Sequence, residues 1–159
     1  MKRRALWILG GALLTYAASP TSASDLKIGR LQATAGAPVT VPVTYTAKGA
    51  PAATALSTEI RFDKGLANPR CAAGDAIAGG KADKTVRCGT PEPNVLRIIV
   101  FGFNQDPIPS GEIATITFDV LRSGRHRIHR LGNLPLASDG TGREFRLARK
   151  SGIVRVGTP

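Results

Sequence analysis

Strict alternation of apolar and polar residues, sustained through several short segments, restricts this chain more than any other feature. Val39-Thr40-Val41-Pro42-Val43-Thr44-Tyr45 sets three valines and a tyrosine on one side of an extended backbone, with threonines and a proline on the other. Residues 113–121 set Ala114, Ile116, Phe118 and Val120 against Thr115, Thr117 and Asp119. Residues 55–62 point Leu56, Thr58, Ile60 and Phe62 inward and Ser57, Glu59 and Arg61 outward, and residues 152–156 close the chain on a similar pattern. A period of two belongs to strands with one buried face. No stretch of about ten residues joins apolar positions three and four apart to an N-cap, so helices are not expected. Strand-like segments recur roughly every 8–15 residues between Gly, Pro, Asn and Asp clusters, the rhythm of a β-sandwich or barrel.

Several finer expectations follow from the same reading. A weak first strand covers residues 26–31. Pro42 lacks an amide donor, so its strand is expected at a sheet edge or at a bulge. Residues 95–103 are the most apolar run after the leader. Alternation there groups Ile99, Phe101 and Phe103 on one side, taken as the core side, and Ile98, Val100 and Gly102 on the other. A strand apolar on both sides is covered on both sides, the second cover being a loop or a partner protein. Residues 131–136 read as a short strand. Asp139-Gly140-Thr141-Gly142 reads as a tight turn. Residues 144–148 and 152–156 read as a closing hairpin.

The N-terminus carries a leader. Met1-Lys2-Arg3-Arg4 is followed by an apolar stretch over residues 5–18 and the small residues Ser19-Pro20-Thr21-Ser22-Ala23-Ser24. A basic start, an apolar stretch of about 14 residues and a small-residue exit mark a secretory signal peptide over residues 1–24. It is short for a membrane span, and no later run approaches one. The product is expected in the periplasm or outside the cell, as one domain over residues 25–159, large enough to bury about two-thirds of its unfolded surface. Two cysteines, Cys71 and Cys88, then read as a structural disulfide around a loop rich in glycine and alanine.

The formal charge is +11. About +8 remains without Lys2, Arg3 and Arg4. Residues 25–121 are nearly balanced, with 10 basic and 9 acidic side chains, whereas residues 122–159 hold 9 basic and 2 acidic. Arg122, Arg125, Arg127, Arg130, Arg143 and Arg146 are therefore candidates for an anionic ligand such as an acidic polysaccharide, through bidentate contacts to carboxylate or sulfate. Catalytic signals are missing. His126 and His129 stand among arginines that repel a cation, no Gly-x-Ser-x-Gly elbow occurs, and the outward acids are too scattered for paired-carboxylate chemistry. No metal, no cofactor and no enzymatic activity are expected. Beyond the leader there is no Trp and one Tyr, so ring stacking on sugars is not expected. The basic stretch has no interleaved aromatics, which argues against nucleic acid.

Four segments in fixed order carry a family resemblance: Val39-Thr40-Val41-Pro42-Val43, Phe62-Asp63-Lys64-Gly65-Leu66, Gly111-Glu112-Ile113-Ala114-Thr115-Ile116-Thr117-Phe118 and Gly152-Ile153-Val154-Arg155-Val156. Over about residues 27–156 the chain resembles a cohesin domain, the docking module of cellulosome scaffolds and a relative of carbohydrate-binding modules. The resemblance implies a nine-stranded jelly-roll, immunoglobulin-like β-sandwich that binds a dockerin-like protein through one sheet face, without chemistry. The matching strands span residues 55–61 and 96–105, which implies a partner-binding face of Ser57, Glu59, Arg61, Ile98, Val100, Gly102 and Gln105. Gly102 stands where a larger apolar residue is usual. An acidic polysaccharide held by the basic C-terminal third is the alternative partner.

Overall fold

The computed structural model describes residues 24–49, 51–80, 82–131 and 136–157. The expected leader lies outside the described residues except for Ser24. That side chain is buried, and its hydroxyl accepts the Lys48 amide at 2.9 Å. The described residues form thirteen strands: β1 (Asp25–Ile28), β2 (Arg30–Thr34), β3 (Pro38–Thr46), β4 (Ala55–Phe62), β5 (Leu66–Ala73), β6 (Thr85–Glu92), β7 (Val95–Phe101), β8 (Gly111–Val120), β9 (Gly124–Arg130), β10 (Leu136–Ser138), β11 (Glu144–Arg146), β12 (Ala148–Lys150) and β13 (Gly152–Gly157).

Two sheets result. The first runs β12-β1-β3-β8-β5. The second runs β2-β13-β9-β4-β7-β6, and the short β10–β11 pair joins the edge of β4 above β9. The inner faces meet in one apolar layer. Val41, Val43 and Tyr45 from β3 and Ile116 and Phe118 from β8 face Leu56, Ile60 and Phe62 from β4, with Ile128 and Val154 beside them. Phe62 and Phe118 pack with ring centroids 5.1 Å apart. Each such side chain contributes about 1.5–3 kcal/mol relative to exposure. The alternation in β3, β4 and β8 predicts these inward sets correctly.

The two terminal stretches each serve both sheets. Only Gly29 separates β1 from β2, and only Ser151 separates β12 from β13. Residues 25–27 pair in parallel with 148–150 in the first sheet, and residues 30–34 with 153–157 in the second. The backbones nearly touch at the crossing. A Cβ on Gly152 would lie 2.4 Å from Ile28 Cγ2, and one on Gly29 would lie 2.7 Å from Pro42 Cδ, so neither site admits a side chain.

Pro42 follows from this crossing. β3 is an interior strand, contrary to the edge expectation. The pairing of β1 with β3 ends at Ile28 and Val43, and the Gly29 amide donates to the Pro42 carbonyl at 2.9 Å. A strand residue's nitrogen and carbonyl point the same way, so the prolyl nitrogen faces the point where β1 leaves the sheet. The strand is an edge locally, and no ladder bond is lost. A register shift follows between Val43 and Thr44.

Other expectations need correction. The stapled segment is bounded by β5 and β6 rather than being all loop. The Cys71–Cys88 disulfide, with Cα atoms 6.3 Å apart, joins these outermost strands of the two sheets. The final pair is not a hairpin: β13 pairs with β9 and β2, while β11 pairs with β10. The tight turn at 139–142 connects β10 to β11, with the Thr141 amide donating to Asp139 Oδ1 at 2.9 Å. Of the short strand expected at 131–136, residues 132–135 lie outside the described residues, and β10 begins at Leu136.

Breaking the disulfide as Cys71→Ala/Cys88→Ala should lower unfolding free energy by about 3 kcal/mol, the entropy of closing a 17-residue loop, as measured by urea denaturation. Asp25 offers a pH test. Its buried carboxylate accepts the Lys48 ammonium at 2.9 Å, with Lys150 at 3.7 Å, and the Lys48 hydrogen bond holds its pKa below the ordinary aspartate value. A lowered folded pKa contributes stability that is complete above about pH 4 and disappears as pH falls through the folded value. Asp25→Asn should therefore cost about 1–2 kcal/mol at pH 7. The gap to wild type should close as denaturation is repeated toward pH 2.

Candidate binding face

The outer face of the second sheet is continuous across β9, β4, β7 and β6, and alternation decides which side chains stand on it. From β4 these are Ser57, Glu59 and Arg61, as expected. From β7 they are Arg97, Ile99 and Phe101, and this corrects the sequence reading. Ile98 and Val100 are 1% and 0% exposed and belong to the core, whereas Ile99 is 38% exposed. The reason lies in pairing. Ile98 stands opposite the core residue Thr58, and Ile99 stands opposite outward Ser57. Leu96, Ile98 and Val100 thus face the first sheet. Arg97 shares the parity of Ile99 and Phe101, and a lone guanidinium in an apolar run marks the outward set. Val95 has that same parity but is buried.

The centre of the face is an ion pair. Glu59 and Arg97 are cross-strand partners, and Arg97 Nε donates to Glu59 Oε1 at 2.8 Å. Below it, Arg61 Nη2 lies 3.6 Å from Glu92 Oε2. Above it the surface turns apolar through Ile99 and Phe101, flanked on β6 by Arg87 and Thr85. Phe103, expected in the core, is fully exposed and packs edge-on to Phe101 at 6.5 Å between centroids. It stands on a loop that is well tethered. Lys84 Nζ donates to Asn104 Oδ1 at 2.7 Å, Asn104 Nδ2 donates to Asp83 Oδ2 at 3.2 Å, and Ile108 is buried. Gly102 does not present a surface. A Cβ there would sit 2.4 Å from the Asp83 carbonyl oxygen, so the adjacent chain covers the position. Gln105 is exposed in the loop, near the turn at Gly140.

The six candidate arginines do not form one site. Arg125 and Arg127 project outward from β9 on this same sheet face, beside His129, which pairs with Arg61. Arg122 is exposed in the turn before β9, and its carbonyl accepts from His126 Nε2 at 2.8 Å. Arg143 and Arg146 stand away at the β10–β11 hairpin. Arg130 is buried and donates to the Ala148 carbonyl at 3.4 Å, which removes it from the solvent-facing set. Arg30 and Arg155, which the sequence reading did not select, share the face with Arg125 and Arg127. Among the described residues no group of three His, Cys, Asp or Glu is placed to hold a metal ion, and no helix is long and apolar enough to cross a membrane.

Replacing Ile98 by Ala should destabilise the fold by about 2–4 kcal/mol, because it leaves a core cavity. Ile99→Ala should change stability by no more than about 0.5 kcal/mol in the same chemical denaturation assay. The reverse ranking would return β7 to the opposite register.

No family model matches the sequence, and no curated protein matches it. Solved structures do match. The sixth cohesin of scaffoldin B from Acetivibrio cellulolyticus, solved in complex with a dockerin, superposes with a TM-score of 0.72 at 15% identity, over 85% of this chain and 99% of that one. A non-cellulosomal cohesin from the archaeon Archaeoglobus fulgidus gives 0.70 at 16% identity, over 85% and 91%. The cohesin module of a family 33 glycoside hydrolase from Clostridium perfringens gives 0.71 at 12% identity, over 89% and 100%. Across nearly their whole length, then, cohesin modules and this chain share one backbone plan, and the fold described above is cohesin-like.

Proposed function

We propose that this protein is a non-catalytic docking module of the cohesin type, taking a dockerin-like protein on the outer face of β4, β7 and β6. The observation that carries the reading is the outward cluster of exposed Ile99 and Phe103 with half-buried Phe101 between them, beside the Glu59–Arg97 pair. Protein interfaces are built this way, with apolar and aromatic anchors at the centre and hydrogen-bonding groups around them. A strand-borne, well-tethered surface also suits docking, since little side-chain or loop freedom is lost on binding. Ser57, Glu59 and Arg61 keep their assignment to the face. Arg97, Ile99 and Phe101 take the places given to Ile98, Val100 and Gly102, and Gln105 is a rim position.

The strand count of the cohesin plan fits this reading. Taking β1 with β2 as one sheet-switching strand, and β12 with β13 as another, leaves nine principal strands plus the β10–β11 hairpin. We further infer an exported domain over residues 25–159, reached through the leader at residues 1–24, working without cofactor or metal in the periplasm or outside the cell.

The test is capture from the secreted fraction of the producing organism, with wild-type protein and with Ile99→Asp/Phe101→Ser, at low salt and at about 0.5 M salt. Apolar docking is little screened, so a partner should be retained by the wild type at both salt levels. The double variant should lose it by more than about tenfold, since it removes two interfacial anchors. Retention that ignores the double substitution, or no retained protein at all, contradicts the proposal.

A further inference from the structure

We propose that Arg30, Arg125, Arg127 and Arg155 form a binding site for an acidic polysaccharide at the β9–β13–β2 end of the second sheet. The pairing brings them together from three strands. In one cross-strand row Arg125 stands opposite Arg155, which stands opposite Gln32, and in the next row Arg127 stands opposite Ile153, which stands opposite Arg30. All four arginines are exposed. Rows on a sheet face are about 7 Å apart and neighbouring strands about 4.8 Å, so the four arginines are rooted in two adjacent rows across three strands, with Gln32 and Ile153 in the remaining positions. Three of them, Arg30, Arg125 and Arg155, line a shallow depression of about 360 Å³ together with Leu31, Gln32 and Ile153, and Arg127 stands beside it on β9.

Among the described residues no ion pair includes any of the four arginines. The nearby carboxylate, Asp63, accepts the Arg127 backbone amide at 2.6 Å. Like charges directly opposite each other on a sheet repel, so the Arg125–Arg155 pair works against folding and calls for an anionic ligand. The guanidinium fork matches carboxylate and sulfate oxygens in two-point contacts. The occupant follows from what the patch lacks. It has no exposed aromatic or aliphatic anchor of the kind that centres a protein interface, Ile153 being only partly exposed. It also has no ring on which a neutral sugar would stack. A chain bearing an anionic group on successive units, held by charge along the rows, fits both facts. This site does not rest on the docking proposal and has its own variants.

The experiment is affinity electrophoresis, backed by titration calorimetry, against polygalacturonate, dextran sulfate, uncharged dextran and poly-L-glutamate, at about 20 mM and about 300 mM salt. Polygalacturonate or dextran sulfate should be bound at low salt, at least about tenfold more weakly at high salt, and uncharged dextran not at all. Which of the two is preferred distinguishes carboxylate from sulfate sources. Arg125→Gln/Arg155→Gln should weaken binding at least about tenfold. Its thermal midpoint should be unchanged or raised, because a like-charge pair is removed. Arg143→Gln/Arg146→Gln should bind as the wild type does. Three results overturn the proposal: neither anionic polysaccharide bound at low salt, binding unaffected by the double substitution, or poly-L-glutamate bound more tightly than both polysaccharides. The last would mark an acidic-protein surface instead.

Discussion

The shared apolar layer between the two sheets is the constraint on which the rest of this structure depends. Neither sheet is buried on both sides, so each must hide one face, and the faces can hide only against each other. That requirement fixes the parity of each central strand. A one-residue slip would place Val41, Ile60 or Phe118 in water and bring threonines and charged groups inside. The outer face inherits its identity from the same decision. Arg97 and Ile99 stand outside because Leu96 and Ile98 are held inside. The terminal stretches close the layer. Each runs from one sheet into the other, and the glycines at their crossing let the backbones approach where side chains would collide.

The strands bearing one apolar and one polar face were legible from sequence. β3, β4 and β8 are of this kind, and their inward residues are those that alternation selects. β7 was not, because both its parities are apolar and hydrophobicity alone does not rank Ile98 against Ile99. The distinguishing mark was a single charge, Arg97. β5 and β6 were illegible for a different reason. They are edge strands with largely exposed side chains, and residues such as Asn68, Pro69, Gly89 and Pro91 give a turn-like composition. Their pairing is supplied by neighbours β8 and β7 and by the disulfide between them, none of which leaves a local periodic trace. No closing hairpin forms, because strand order is a tertiary property. β13 is drawn to β9 and β2, far away in sequence, rather than to the segment just before it.

The surface shows the same division. Charge counted along the chain marked the C-terminal third as basic, which is correct but not a site. Folding disperses that charge. Arg130 goes to the interior, Arg143 and Arg146 go to a distant hairpin, and Arg125 and Arg127 meet Arg30 and Arg155 from other strands. The second sheet therefore has a graded outer face. It is apolar and aromatic near β7 and its following loop, ion-paired at Glu59 and Arg97, and densely cationic toward β2. One rigid sheet thus offers two kinds of surface with opposite sensitivity to salt.

The parity of β7, and the binding face with it, is read most directly from which isoleucine methyls water can reach. Methyl spectra of the isotopically labelled protein, recorded with a soluble paramagnetic agent, read this without altering the chain. The Ile99 signal should broaden strongly, while Ile60, Ile98, Ile116 and Ile128 stay sharp. Broadening of Ile98 with protection of Ile99 would contradict this parity, since it would turn β7 over and dismantle the binding face built on it.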